Sequence, residues 1–466
     1  MPSTRKASMR RSFFILMSMI AAGCTSTSEL STNRDQKIKL ITLDPGHFHS
    51  ALVQKSMYAD VDSVVYVYAP EGTDVQLHLE KIDLYNKRAD DPTKWKEEIY
   101  LGEDFFQKML SEKKGNVVML AGNNLKKTEY IKKSIDAGFN VYADKPMAIN
   151  AKSFEELKEA FSAAEKKKLL LYDIMTERFE ITTMLQKEFS LIPEVFGILE
   201  KGTPENPAVT KESIHHFYKY VSGNVLTRPA WFMDVAQEGD GIVDVTTHLV
   251  DLIQWECFPE QILDYKKDIQ LIRASRSQTD ITLSQFKAIT KVDQFPDYLQ
   301  KYLERDSILK VYSNGEFNYK IRGVHAKVSV KWAYRAPDGT ADTHYSIMRG
   351  SLANLIIRQG VDQQYKPALY IEPLSGATND YSDQLAAKIK DVQKKFPGVE
   401  IKKQGQGWEV IVPEKYKEGH EAHFTRVTEK FLEYLKNGNI PDWEVPNMIA
   451  KYYTTTQALE MAKKNQ

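Results

Sequence analysis

The chain has 466 residues, enough for two domains with insertions, and its 63 lysines and arginines equal its 63 aspartates and glutamates. With no net field and no basic stripe carrying interleaved aromatics, the composition excludes a nucleic-acid partner. Two cysteines, Cys24 and Cys257, allow at most one disulfide.

The first residues read as an address. Arg5, Lys6, Arg10 and Arg11 form a basic segment, Phe13 to Ala22 an apolar one too short to span a bilayer, and Ala21-Ala22-Gly23-Cys24 a small-residue cleavage site. This resembles a bacterial lipoprotein signal: residues 1–23 are removed, Cys24 is lipidated, and residues 24–36, rich in Ser and Thr, become a flexible tether. Arg10-Arg11-Ser12-Phe13-Phe14 also resembles a twin-arginine signal, which leaves the general and the folded-protein export routes both open. The expectation is an exported, periplasm-facing protein that meets the membrane only through its lipid anchor. Acylation of Cys24 leaves Cys257 without a disulfide partner, so stability must come from the core.

From Lys37 onward, strands and helices alternate. Lys37 to Asp44 is a strand by its β-branched and apolar content, Ser50 to Tyr58 a helical stretch, and Val61 to Ala69 a second, buried strand. Asp74 to Glu80 and Glu103 to Leu110 are helical, with a charged loop between them. Val117 to Ala121 is a strand, Leu125 to Ala137 a helix stopped by Gly138, and Val141 to Ala143 a further strand. Ala151 to Lys167 is an amphipathic helix and Leu169 to Asp173 the next strand. This alternation implies βαβ units and an α/β, doubly wound parallel sheet.

Such a sheet binds a dinucleotide at its first strand-to-helix turn, where glycines let the backbone approach the phosphates. Here the turn reads Asp44-Pro45-Gly46-His47-Phe48-His49, with one glycine where three are usual, which implies a reshaped cofactor site or a lost one. Glu71, just past the second strand, is placed to accept from ribose hydroxyls, or is a surface acid in its Pro-Glu-Gly turn. Asp144-Lys145-Pro146 ends the Val141 strand at the sheet edge where ligands bind. A lysine there can polarise a carbonyl or stabilise an alkoxide; alone, the triplet is more often just a turn.

In the second half, Met175 to Phe189 is helical and carries Arg178, while Val195 to Lys201 and Ile214 to Val221 are strand-rich. Arg228 to Asp234 precedes the run Gly239-Asp240-Gly241-Ile242-Val243-Asp244, and His248 follows four residues on, sharing a helix face with Asp244. Asp306 to Val311, Glu316 to Arg322, Ala326 to Tyr334, His344 to Arg349 and Ala353 to Arg358 read as strands. Two stretches look inserted: 263–301, largely helical, and 381–413, a charged helix and two short strands. Glu421 to Asn437 and Asn447 to Lys464 are helices returning to the first half.

Together, Asp144-Lys145-Pro146, the glycine run with Asp244 and His248, and Asn123 after the Val117 strand resemble the Gfo/Idh/MocA oxidoreductase family. The family patterns are Glu-Lys-Pro, a glycine-rich run ending in Asp-x-x-x-His, and an Asn after the fourth strand. The resemblance implies an N-terminal NAD(P)-binding Rossmann domain (37–173) and an α+β domain (174–466) with an open, mostly antiparallel sheet. It implies NAD or NADP, NAD favoured and tightly bound, held by Gly46, His47, Phe48, Glu71, Asn123, Asp144 and Lys145. The implied reaction is hydride transfer between a sugar or polyol carbinol and nicotinamide. His248 is the base, Lys145 the cation, and Asp244 either orients His248 or touches the substrate hydroxyl. Arg178, His216, Tyr218 and Trp231 are the candidates for sugar contacts, an aromatic ring suiting a pyranose face.

The specific expectation is a glycoside 3-dehydrogenase yielding 3-keto-glycosides, with an electron acceptor or a partner hydrolase, and with homo-oligomerisation open. One rival is a redox-neutral NAD-dependent glycosidase, which needs an acid/base near the anomeric centre that the sequence does not locate. The other is a non-catalytic sugar-binding lipoprotein that lost its nucleotide, which the altered turn favours. No metal is expected: His215 and His216 would point to opposite faces of a strand, and no carboxylate completes a ligand set.

Overall fold

A computed structural model describes residues 37–221, 224–305, 307–337, 340–375 and 378–465. The signal segment, Cys24, the tether and Asp306 lie outside the described residues. The first half runs β1 (Leu40–Leu43), α1 (His49–Leu52), β2 (Val64–Ala69), α2 (Thr73–Lys87), β3 (Lys96–Leu101), α3 (Phe105–Glu112), β4 (Val117–Leu120), α4 (Lys127–Ala137), β5 (Asn140–Asp144), α5 (Ala151–Lys167) and β6 (Leu171–Ile174). All six strands are parallel, in the order β3-β2-β1-β4-β5-β6. Strands β1, β4 and β6 are buried along their whole length, which is why they read as continuous apolar runs. Chain order reverses between β1 and β4, so the ligand edge lies where Asp44, Gly122 and Asp144 emerge.

Two expectations fail here. The charged loop after α2 contains β3, an exposed edge strand whose charges suit its position. The helix expected over Ser50 to Tyr58 is the four-residue α1.

The second half runs α6 (Ile181–Ser190), α7 (Pro193–Phe196), β7 (Val209–Tyr218), β8 (Tyr220–Val221), β9 (Asn224–Val225), α8 (Gly241–Asp244), α9 (Thr246–Cys257), α10 (Tyr265–Asp268), β10 (Ile269–Thr282), α11 (Leu283–Thr290), β11 (Leu303–Glu304) and β12 (Ile308–Ile321). It continues β13 (Val324–Arg335), β14 (Thr343–Arg349), β15 (Ala353–Arg358), β16 (Ala368–Pro373), α12 (Asn379–Lys395), β17 (Glu400–Gln404), β18 (Gly407–Ile411), α13 (His420–Asn437) and α14 (Glu444–Lys464). The sheet order is β10-β12-β13-β7-β14-β15-β16-β18-β17, with β11 on β12. Pairing is antiparallel except between β13 and β7.

Residues 263–301 are not largely helical: they supply β10, a fourteen-residue edge strand. Register shifts at Leu271/Arg273 and Ser277/Thr279 break its alternation and hide the strand period from the sequence. Residues 193–201 hold α7, begun by Pro193, rather than a strand. Residues 381–413 extend the sheet through β18, while Tyr381, Leu385, Ile389 and Val392 of α12 pack into the second core.

The last two helices tie the halves together. Phe424, Val427 and Phe431 of α13 and Tyr452 of α14 complete the first core, while Ala450, Ala458, Leu459 and Ala462 of α14 belong to the second. Lys451 of α14, fully buried, bridges Asp173 at 2.6 Å and Asp251 at 2.8 Å. Among the described residues no helix is long and apolar enough to cross a membrane.

Candidate functional site

Strand β5 delivers Asp144 and Lys145 to the ligand edge, and α8 delivers Asp244 opposite them. The placement of α8 depends on two glycines facing each other. A Cβ on Gly241 would collide with the Ser313 carbonyl, and one on Gly315 would come 2.6 Å from Ile242 Cβ, so α8 rests directly on β12. Asp244 then ion-pairs with Lys145, both nearly buried. Burial opposes the charge on each, but Asp244 and Asp144 hold Lys145 above the usual lysine value, and Lys145 holds Asp244 below the usual carboxylate range.

His248 is near this pair but is not oriented by Asp244. The helix breaks at Val245 between α8 and α9, the Asp244 carboxylate goes to Lys145, and His248 Nδ1 has no hydrogen-bond partner among the described residues. Burial, then Lys145 and His420, lower the imidazole to about 3, so it is neutral at physiological pH.

These groups open onto a cavity of about 1060 Å³. Its wall includes His47, His49, His215, His216, His248, His344 and His420, seven of the chain's ten histidines. Trp332 offers a ring to the same space, with His215 stacked on it at a centroid distance of 5.1 Å. His216 and Tyr218, expected to contact sugar, line the cavity. Arg178 and Trp231 do not. Arg178 clamps Asp251 at 2.6 and 2.7 Å and Glu444 at 3.1 Å, a buried ion-pair network that leaves its guanidinium to the protein.

The expectation that no carboxylate approaches His215 and His216 is also wrong. Asp342, just before β14, lies 2.8 Å from His216 Nδ1 and 3.5 Å from His215 Nδ1, with Lys219 Nζ at 2.9 Å. Burial opposes its charge, but these neighbours hold Asp342 well below the usual carboxylate range. Across the cavity, burial and the neighbouring Glu180 push the Glu177 carboxyl up to about 7.

The residues present fit a nicotinamide cofactor, with His47, Phe48 and Lys145 on the cavity wall at the ligand edge. At the diphosphate end, two N–H donors of the turn are engaged within the protein. The Gly46 and His47 N–H groups both donate to the Ala121 carbonyl, at 3.2 and 3.1 Å. Trp231 lies against Gly46, where an added Cβ would come 3.1 Å from its ring, and donates its Nε1–H to Asp74 at 2.7 Å. Gly46, Glu71 and Asn123 are therefore outside the cavity wall. Asn123 donates to Gln237 at 2.7 Å, and Glu71 is exposed. Asp144 is buried, with His49 Nδ1 at 3.0 Å.

Sequence reasoning missed Asp342, Glu177 and His420. Glu177 stands next to Arg178, the residue singled out instead, while Asp342 and His420 are remote in the chain from the motifs.

Comparison with known proteins gives the same two halves. Residues 46–173 match the family model "Oxidoreductase family, NAD-binding Rossmann fold", and residues 185–463 match "Putative oxidoreductase C terminal domain". A crystal structure from Parabacteroides merdae ATCC 43184, described as a putative oxidoreductase, is 57% identical, covers 92% of this chain and 98% of its own, and superposes with a TM-score of 0.90. Levoglucosan dehydrogenase in complex with NADH and levoglucosan shares the fold at 12% identity, covering 92% and 98% of the two chains, with a TM-score of 0.59. A 3-ketoreductase from Actinomadura kijaniata shares it at 12% identity, covering 90% and 96%, with a TM-score of 0.53. No curated protein sequence matches the chain.

Proposed function

Since this chain belongs to the Gfo/Idh/MocA oxidoreductase family, whose N-terminal half is an NAD-binding Rossmann fold, we propose that it oxidises a hydroxyl of a sugar or glycoside bound in the histidine-lined cavity. The observation that carries this reading is the Lys145–Asp244 ion pair beside a neutral His248 on the wall of that cavity. His248 takes the hydroxyl proton, for which a neutral imidazole is required. Lys145, kept protonated by Asp244, faces the oxygen on which negative charge develops. A bound nicotinamide supplies the acceptor for the carbon-bound hydrogen and its electron pair. Trp332 presents a ring for the apolar face of the sugar, and the His216–Asp342 pair offers hydrogen bonds to hydroxyls.

The substrate we favour is a glycoside oxidised at C3, giving a 3-keto product with an acidified C2–H. Two neighbours sharing the fold support this reading: levoglucosan dehydrogenase, named for a sugar derivative, and a 3-ketoreductase, named for reduction at a 3-keto position. The protein would work after export, anchored through Cys24, so the nucleotide would be NAD held tightly and reoxidised in place.

A second reading, the redox-neutral glycosidase, gains from Glu177. This cavity carboxyl, raised to about 7, is the type of acid/base that such a cycle needs at the anomeric centre.

The test has two parts. Nucleotide released from denatured protein is identified by mass spectrometry, and a panel of glycosides is analysed for 3-keto products, lacking two hydrogens, and for free sugar. Stoichiometric NAD or NADP with keto products supports the dehydrogenase, and free sugar without net NADH supports the glycosidase. No nucleotide, no binding of added NAD and no product would overturn both.

A further inference from the structure

Two of the cavity histidines stand with a carboxylate in an arrangement that hydrogen bonding does not exhaust. His49 Nδ1 is 3.0 Å and His47 Nδ1 3.4 Å from the same oxygen, Asp144 Oδ2. The two rings meet edge to face with centroids 4.0 Å apart. One ligand atom from each residue lies within 4.8 Å of the others. Donor atoms bonded at about 2.1 Å to one ion are about 3.0 Å apart in octahedral and about 3.4 Å apart in tetrahedral geometry. Both separations from Asp144 lie in the range that two ligands of one ion can have, although the shorter is also a hydrogen bond, and His47 Nδ1, 3.4 Å from Asp144, makes no well-aligned hydrogen bond among the described residues.

The charged groups nearby are Asp144 and Asp244 against Lys127, Lys145 and Arg228, with the Glu238 carboxyl pushed well up by burial and Asp244. Lys145 is committed to Asp244, and Lys127 donates to the Asp144 backbone carbonyl at 3.1 Å, so neither ammonium takes the Asp144 carboxylate. The supports are rigid: His47 is fixed through its N–H on Ala121, and Asp144 is the last residue of β5.

We propose that His47, His49 and Asp144 bind one divalent transition-metal ion whose remaining coordination positions face the cavity. Two imidazoles and one carboxylate leave positions open, as catalytic rather than structural sites do. The ion would polarise an oxygen of the bound molecule, a hydroxyl or ketone of a sugar, without changing its own oxidation state. The inference does not depend on the nicotinamide reading, since metal binding is measured without turnover.

The test uses the full chain, stripped with a chelator and dialysed. Cobalt(II) is titrated and followed by its visible d–d absorption, zinc(II) by calorimetry, and the bound metal is counted by elemental mass spectrometry. One equivalent should bind, zinc should displace cobalt, and affinity should fall at least about tenfold in His49→Ala and in Asp144→Asn. His325→Ala, on the far strand β13, should bind as wild type does. His47→Gln, at the cavity edge, repeats the test if the buried variants lose their fold by circular dichroism. Failure of the wild type to bind a stoichiometric equivalent, or unchanged affinity in folded His47→Gln and His49→Ala, overturns the site.

Discussion

Replacing Lys451 by Met removes the ammonium that bridges Asp173 of the first half and Asp251 of the second. Breaking a buried pair by removing one partner costs about 3–5 kcal/mol, because the remaining charge is left uncompensated. Here the lower figure applies. Asp173 keeps the Tyr452 hydroxyl at 2.8 Å, and Asp251 keeps Arg178 at 2.6 and 2.7 Å. With a urea m-value above about 3 kcal/mol/M for so long a chain, about 3 kcal/mol lowers the unfolding midpoint by just under about 1 M. The pH dependence has a defined sign. Burial raises Asp251, but Arg178 and Lys451 outweigh it and hold the carboxyl well below its unfolded value. Its stabilisation is complete above about pH 4, the unfolded value, and is lost as pH falls toward the folded one. The gap between wild type and Lys451→Met should therefore narrow from pH 7 to pH 3, and Lys451→Met with Asp173→Asn should recover part of it. A midpoint within about 0.2 M of wild type at pH 7, or a gap that does not narrow in acid, would refute the reasoning.

Three further outcomes follow from the site. Lys145→Met should lower kcat/KM by about 10² to 10³ on any glycoside the wild type oxidises, as loss of an oxyanion-stabilising group does, with the circular dichroism spectrum unchanged. Gly241→Ala must push α8 away from the Ser313 carbonyl and should destabilise by more than about 2 kcal/mol, read as a lowered denaturation midpoint. Glu177, protonated below about 7 and ionised above it, should give the kcat/KM profile a falling alkaline limb near that pH if it acts as an acid; Glu177→Gln should abolish that limb, and an unchanged profile would remove its role.

The parallel sheet was legible in the sequence because buried parallel strands are unbroken apolar runs, as in Val117 to Leu120. The edge strands β3 and β10 were not, since a strand exposed at an edge carries charges and a bulged one loses its period. Lys145, Asp244 and His248 were found from their local motifs, which record backbone constraints: a strand end, two glycines against a neighbouring strand, a helix start. The pairing of Asp244 was misread because spacing along a helix says nothing of a lysine 99 residues away. Arg178 and Trp231 looked available as single residues, and only the fold shows that Asp251, Glu444 and Asp74 already hold them. Asp342 is invisible beforehand for the same reason, since it meets His216 126 residues away in sequence.

The double allegiance of α14 bears on how the protein is made. Strand β5 carries Asp144 and Lys145, yet its Tyr142 stacks on Phe431 of α13 at 4.4 Å, and Tyr452 of α14 closes the same core. Those helices follow every element of the nucleotide-binding half in the chain, so that half cannot reach its finished packing until both have been made. A ligand at the β5 edge therefore meets a finished pocket only once α13 and α14 have docked.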